Sequence, residues 1–316
     1  MRRTKANMIS MNRVALRSFL AVTLSLASAC VSVSRPDGEV VRLETSEASC
    51  EVALSGARIL SFKVRGEEVL WAPAEWRLEG ESWAHGGIPL CWPWFGRSGP
   101  PGSGMHGFAY RSRFDVRRLV RDRSRSEVVL GLRSSPETLA LWPHEFDLEY
   151  SIALEGAALR LRLRTVNESR AVATLTDGYH AYFKVGERDR TRVVGTDGCA
   201  WCDSRKTMEI GGAYSGDFPL TDSCDHVFTV RGFEYALIDP SLSRRVLIGS
   251  RGNKKLVVWN PGPGVACAAT PGPGELDPDA WRHMVTVEPA TLWRDQAWLL
   301  PPGGEHALEM TIRLEK

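Results

Sequence analysis

The 316 residues predict an all-β protein built as a large antiparallel β-sandwich. Three observations carry this. Apolar and polar residues alternate with period two through much of the body. No stretch of the body reads as an amphipathic helix of three turns. The intervening segments are rich in turn formers, as 29 Gly and 18 Pro require. Taken in order, Ile59–Val64 and Val128–Leu132 read as short strands. Phe146–Ile152 alternates, and Leu159, Leu161 and Leu163 alternate with Arg160, Arg162 and Arg164, so each strand has one buried and one wet face. Glu155-Gly156 joins the two as a hairpin. Val227–Val230, Leu256–Trp259, Met284–Val287 and Leu308–Leu314 complete the set. The Pro/Gly-rich stretches 96–104 and 261–274 read as surface loops, where sites tend to sit.

The formal charge of +2 comes from the N-terminus. Residues 1–29 hold five basic residues and no acidic one, and without them 35 basic face 38 acidic residues, a body of −3. A nucleic-acid partner would need a basic face on that body, so none is expected. The basic start, the apolar run from Phe19 to Ala29 and Ala27-Ser28-Ala29 read as a signal peptide over 1–29, with 30–44 a linker and 45–316 a single domain. The body is then exported, periplasmic or secreted, and membrane attachment is expected only through a lipid anchor at Cys30. A misassigned start codon would leave it cytoplasmic. The protein is expected to be a monomer.

Six further cysteines permit disulfides, although Cys91 lies inside an apolar run and reads as a buried thiol. Cys199-Ala200-Trp201-Cys202 is a lone C-x-x-C without the second pair that zinc needs, so neither a metal nor a cofactor is expected. Gly99–Gly104 starts like a phosphate-binding loop, but Met105 and His106 stand where Lys and Ser/Thr belong. No G-x-S-x-G elbow is present. The remaining anomaly is Trp, with 11 copies, five of them between Trp71 and Trp94.

Four segments are informative together. They are Gly86-Gly87-Ile88-Pro89-Leu90-Cys91-Trp92-Pro93-Trp94-Phe95-Gly96 with His106-Gly107-Phe108; Asp177 to Gly186; Ser223 to Phe228; and Val257-Val258-Trp259-Asn260-Pro261 with Met284 to Ala290. Their order and spacing resemble the glucose-6-phosphate 1-epimerase-like family of the aldose 1-epimerase (galactose mutarotase-like) superfamily, over roughly residues 45–315. The resemblance implies a large antiparallel β-sandwich and interconversion of the anomers of an aldohexose or hexose 6-phosphate. It also implies Glu288 as base and His180 as acid, with His106 and Asp225 bonding sugar hydroxyls. For His180 to act first as an acid, neighbouring negative charge should raise its pKa. Trp92, Trp94 and Phe95 are candidates to stack on the ring, with core packing the alternative reading for two of the three. Where the family has Arg before Gly-Gly-Ile-Pro and Arg after His-Gly-Phe-Ala, this chain has His85 and Tyr110. Neither replaces a guanidinium fork, although Arg111, Arg97 or Lys184 could supply a charge. The substrate-binding set is therefore His106, Asp225, Trp92, Phe95, Arg111 and His85, and the expected substrate is an unphosphorylated or differently substituted hexose. A carbohydrate-binding sandwich without turnover is the alternative. A glycoside hydrolase would need a second carboxylate, for which Asp225 is the candidate.

Overall fold

A computed structural model describes residues 32–35, 38–73, 76, 85–221, 223–263, 276, 279–293 and 296–316. Strands dominate, and the sheets are antiparallel, as the alternation predicts. The largest sheet orders nine strands as Phe218–Pro219, Arg192–Val194, Glu234–Asp239, Arg244–Arg251, Glu305–Glu315, Ala158–Asn167, Phe146–Glu155, Arg125–Arg133 and Asp115–Arg121. Its centre is the expected hairpin, in which Leu159, Leu161 and Leu163 pair with Leu154, Ile152 and Tyr150. Those three leucines are buried while Arg160 between them is exposed.

A seven-stranded sheet packs against this one. It comprises Trp201–Asp203, Cys224–Thr229, Lys255–Asn260, Met284–Ala290, Gly178–Tyr179 and Leu90–Cys91, with Tyr182–Lys184 also paired to Met284–Ala290. A five-stranded sheet runs from Ser32–Arg35 through Gly38–Glu44, Ala48–Ala53 and Ile59–Val64 to Glu67–Glu68. All three contribute to one core: Leu148, Tyr150 and Ile152 from the first, Val258, Val285 and Val287 from the second, Leu43, Cys50 and Phe62 from the third. The sandwich follows from burying one face of each sheet against another.

Residues 38–44, expected as linker, are instead a strand of the five-stranded sheet. Val41 and Leu43 are fully buried and alternate with the exposed Arg42 and Glu44, a pattern too short to stand out in sequence. The leader, Cys30, Trp83, Cys267 and most of the loop 261–274 lie outside the described residues. Among the described residues the α-helix is Pro136–Leu141, started by Ser135, whose hydroxyl accepts from the Thr138 N–H in a capping box. No helix among them is long and apolar enough to cross a membrane. Cys50, Cys91, Cys199, Cys202 and Cys224 are free, buried thiols.

Candidate active site

The site sits on the outer face of the seven-stranded sheet. Residues paired directly across antiparallel strands share a face, as do residues two apart along a strand. Asp225 pairs with Trp259, Trp259 with Thr286, Thr286 with Tyr182, and Val257 with Glu288. Gly178 opposite Ala290 and Tyr182 opposite Thr286 bracket His180 against Glu288. One face thus collects Asp225, Trp259, Thr286, Glu288, His180 and Tyr182. The opposite face sends Ala181, Phe183, Val258, Val285 and Val287 into the main core. A strand covered on both faces reads as a nearly unbroken apolar run, which explains Met284-Val285-Thr286-Val287-Glu288.

His180 Nε2 lies 3.6 Å from Glu288 Oε1, and both side chains are buried. The Thr286 hydroxyl donates to the same Oε1 at 2.7 Å. Among the described residues Glu288 Oε2 has no hydrogen-bond partner. Burial holds the Glu288 carboxyl well above its usual range, against the pull of Thr286 and helped by the charge of Asp225. His180 moves the other way from the sequence expectation. Burial, then nearby His106, His85 and Arg58, hold it well below 6.5. Desolvation outweighs the carboxylate because separating two charges in a buried site costs more than their attraction returns. Burial thus favours the uncharged form of each partner, the protonated Glu288 carboxyl and the neutral His180 imidazole.

His106 closes one side, its ring centroid 5.5 Å from that of His180 and 5.1 Å from that of Phe95, both edge-on. Its backbone is left-handed, φ 63°, and Gly107 follows at φ 73°, where a Cβ would come within 1.9 Å of the Trp92 carbonyl. Only glycine permits that approach, and it laces His106-Gly107-Phe108 onto Trp92-Pro93. The Gly96 N–H donates to His106 Nδ1 at 3.2 Å, and the Cys91 thiol lies 3.1 Å from the same atom. The Gly96 N–H makes Nδ1 an acceptor, and burial pushes the thiol pKa up, so the intact S–H donates to the same atom. Nδ1 is thus the acceptor and Nε2–H the donor on a ring whose pKa burial lowers to about 4.

His85 bonds the Tyr182 hydroxyl through Nδ1 at 2.9 Å and stacks on Trp259 at 6.2 Å between centroids. Burial, then Arg58, lower it to about 4. Tyr182 stacks on His180 at 4.9 Å. Asp225 stands on the same face, its pKa raised by burial.

One expected residue falls elsewhere. Trp92 is fully buried in the main core, donates its indole N–H to Thr165 Oγ1 at 2.9 Å, and meets Phe108, Trp142 and Phe146 edge-on. It neighbours Cys91, which faces the site, so strand alternation turns Trp92 away. Arg111 lies in the turn Ala109–Arg111 over the ring of Tyr110, with no hydrogen bond or ion pair to a site residue among the described ones. Arg97 and Lys184 are exposed. Sequence reasoning passed over Tyr182, Thr286, Trp259 and Arg58. The first two carried a usable signal, since each lies two residues from a catalytic candidate and must share its face. Trp259 and Arg58 carried none.

A buried carboxyl–imidazole pair on an antiparallel sandwich, walled by aromatic rings and hydrogen-bond donors, is suited to acid–base chemistry. The chain matches the family model for aldose 1-epimerase over residues 39–313, and it belongs to that family. It is 28% identical over 253 residues to an Escherichia coli K12 protein named "Putative glucose-6-phosphate 1-epimerase", covering 80% of this chain and 83% of that one. A protein of the same name from Cenchrus ciliaris is 30% identical over 285 residues, covering 86% and 84%. Among solved structures, a "putative mutarotase" from Salmonella typhimurium superposes with a TM-score of 0.80 at 26% identity, covering 89% of this chain and 91% of that one.

Proposed function

We propose that the protein is an aldohexose 1-epimerase in which Glu288 and His180 move the protons. The observation that supports this most directly is the 3.6 Å buried pair in a chain of this family. Anomerisation takes the proton from the C1 hydroxyl, protonates the ring oxygen, breaks the C1–O5 bond and forms the C1 carbonyl. Rotation about C1–C2 and reclosure give the other anomer. One proton shared by the pair suffices. With the proton on His180, Glu288 accepts from the C1 hydroxyl while His180 donates to the ring oxygen. The pair is then left with the proton on Glu288, the arrangement that burial favours, and reclosure runs the two transfers backwards. The His106 Nε2–H and the Asp225 carboxylate hold sugar hydroxyls, and Phe95 flanks the ring. The apolar run and Ala27-Ser28-Ala29 support an exported enzyme, which mass spectrometry of the mature N-terminus would test.

Exchange between α and β anomers, followed by polarimetry or NMR, tests the reaction. Glu288→Gln should lower the rate by about 10²- to 10⁴-fold while calorimetry still detects sugar binding. Full activity in that variant would remove Glu288 from the mechanism. Sugar binding by the unaltered protein with no rate above the spontaneous one would identify a binder.

A further inference from the structure

A cleft of 370 Å³ opens beside the catalytic face and uses none of the catalytic residues. Two features that the reaction leaves unused frame it. One is the Gly/Pro-rich loop, through Ser98, Gly99 and Pro100; the other is the end of the helix Pro136–Leu141 with the Trp142-Pro143-His144 that follows. Pro93, Trp94, Thr174 and Thr176 complete the walls. Gly99 lies against the Trp94 indole, where a Cβ would come within 2.5 Å of the ring, so a glycine is needed for the loop to close there.

Strand alternation fixes where the cleft lies. Asp177 meets His306 at 3.2 Å and the Tyr179 hydroxyl donates to the Leu308 carbonyl, so both side chains point to the nine-stranded sheet. Thr176, Gly178 and His180 therefore point to the other face. Phe95 covers Gly178, where a Cβ would come within 2.6 Å of its ring, and the Phe95 N–H donates to Thr176 Oγ1 at 2.9 Å. Phe95 thus divides the cleft, at Thr176, from the reaction site, at His180.

The lining says which ligand fits. Among the described residues that form it there is no Lys, Arg, Asp or Glu, so an ion would lose its water and gain no counter-charge. Burial lowers the His144 pKa, so that ring is neutral at pH 7. Trp94, Leu141, Trp142 and the prolines supply apolar surface. The polar atoms are of both kinds. Thr176 Oγ1 accepts from the Phe95 N–H and keeps its own hydrogen to donate. The Ser169 hydroxyl gives its hydrogen to Asn167 Oδ1 at 2.6 Å, so towards His144 Nδ1, 3.4 Å away, it accepts. Nδ1 then carries the proton of His144, and Nε2 is an acceptor. A neutral ring with an apolar face and hydroxyls that both donate and accept meets these groups together, and the volume suits one such ring.

We propose that this cleft is a second, non-catalytic sugar site that holds a neutral pyranose unit of a glycan. It does not depend on the epimerase reading.

The test titrates methyl β-glucopyranoside and methyl β-glucuronide into the unaltered protein, Thr174→Trp, Leu141→Lys and His106→Gln, read by calorimetry or saturation-transfer NMR. The methyl acetal cannot open, so binding is read whether or not the protein anomerises sugars, and the two readings fail separately. The glucoside should bind the unaltered protein at least about tenfold more tightly than the glucuronide, because no cation lines the cleft. Thr174→Trp fills the cleft and should weaken the glucoside about tenfold or more, whereas His106→Gln, at the reaction site, should leave its affinity as it is. Leu141→Lys should bring the glucuronide level with the glucoside. No glucoside binding by the unaltered protein, or a glucuronide that binds as tightly, overturns the proposal. So does an unchanged affinity in a folded Thr174→Trp, or loss of binding in His106→Gln. If Thr174→Trp does not fold, Leu141→Lys and the comparison of the two glycosides on the unaltered protein decide.

Discussion

At the residue scale, the hydroxyl of Thr286 controls the proton of Glu288. It has one hydrogen and two acceptors within reach, Glu288 Oε1 at 2.7 Å and the Trp259 carbonyl at 3.3 Å. The shorter bond favours the carboxylate and opposes the burial that favours the acid. Thr286→Val removes that bond, so the carboxyl pKa rises further. If Glu288 must be a carboxylate to open the ring, the acidic limb of the pH profile of kcat/KM moves to higher pH. The rate at neutral pH falls about tenfold. A limb that stays in place would mean that the hydroxyl serves packing alone. The same scale shows why His180 was misjudged. Its residue type and partner pointed to a raised pKa, but the burial that reverses the shift is set by the neighbours, not by the local sequence.

At the element scale, strand alternation sorts the aromatic cluster. Cys91 and Phe95 reach the site and Trp92 the core, within one short segment. Trp92→Phe keeps most of the ring contacts but strands the buried Thr165 hydroxyl, so it should cost about 1–3 kcal/mol in urea unfolding with KM for the sugar unchanged. A raised KM with full stability would return Trp92 to the pocket. The strand that carries Glu288 was legible as Met284–Val287, short by its last three residues, whereas the two short strands that flank His180, Gly178–Tyr179 and Tyr182–Lys184, were not read. Gly38–Glu44 was not, since its pairing partner Ala48–Ala53 is needed to show that it is a strand at all.

At the scale of the whole molecule, the site is a store of buried ionisable groups, and stability must depend on pH. His85 and His106 have folded pKa values of about 4 against an ordinary 6.5. Between those values the unfolded chain binds more protons, so stability rises with pH across this window, by at most about 1.4 kcal/mol per pH unit for each histidine. His180 adds in the same direction. Glu288 opposes them above 4.5, because its raised pKa makes the folded form the one that binds a proton. Asp225, also raised by burial, opposes them likewise above 3.8. Three histidines outweigh these two carboxyls, so the Tm should climb from pH 4 to 6.5. His106→Gln should climb less steeply. A flat profile in the unaltered protein would show that these groups are open to water.

The sequence by itself determined the all-β class, the central hairpin, the family resemblance and the placing of His180, Glu288, His106 and Asp225 as candidates. Each of these depends on period-two patterning or on residues close together in the chain. Only the tertiary structure decided that Trp92 is core and that burial drives the Glu288 and His180 pKa values in opposite directions. Burial and charge at those positions come from side chains tens to hundreds of residues away, and no local spacing encodes them.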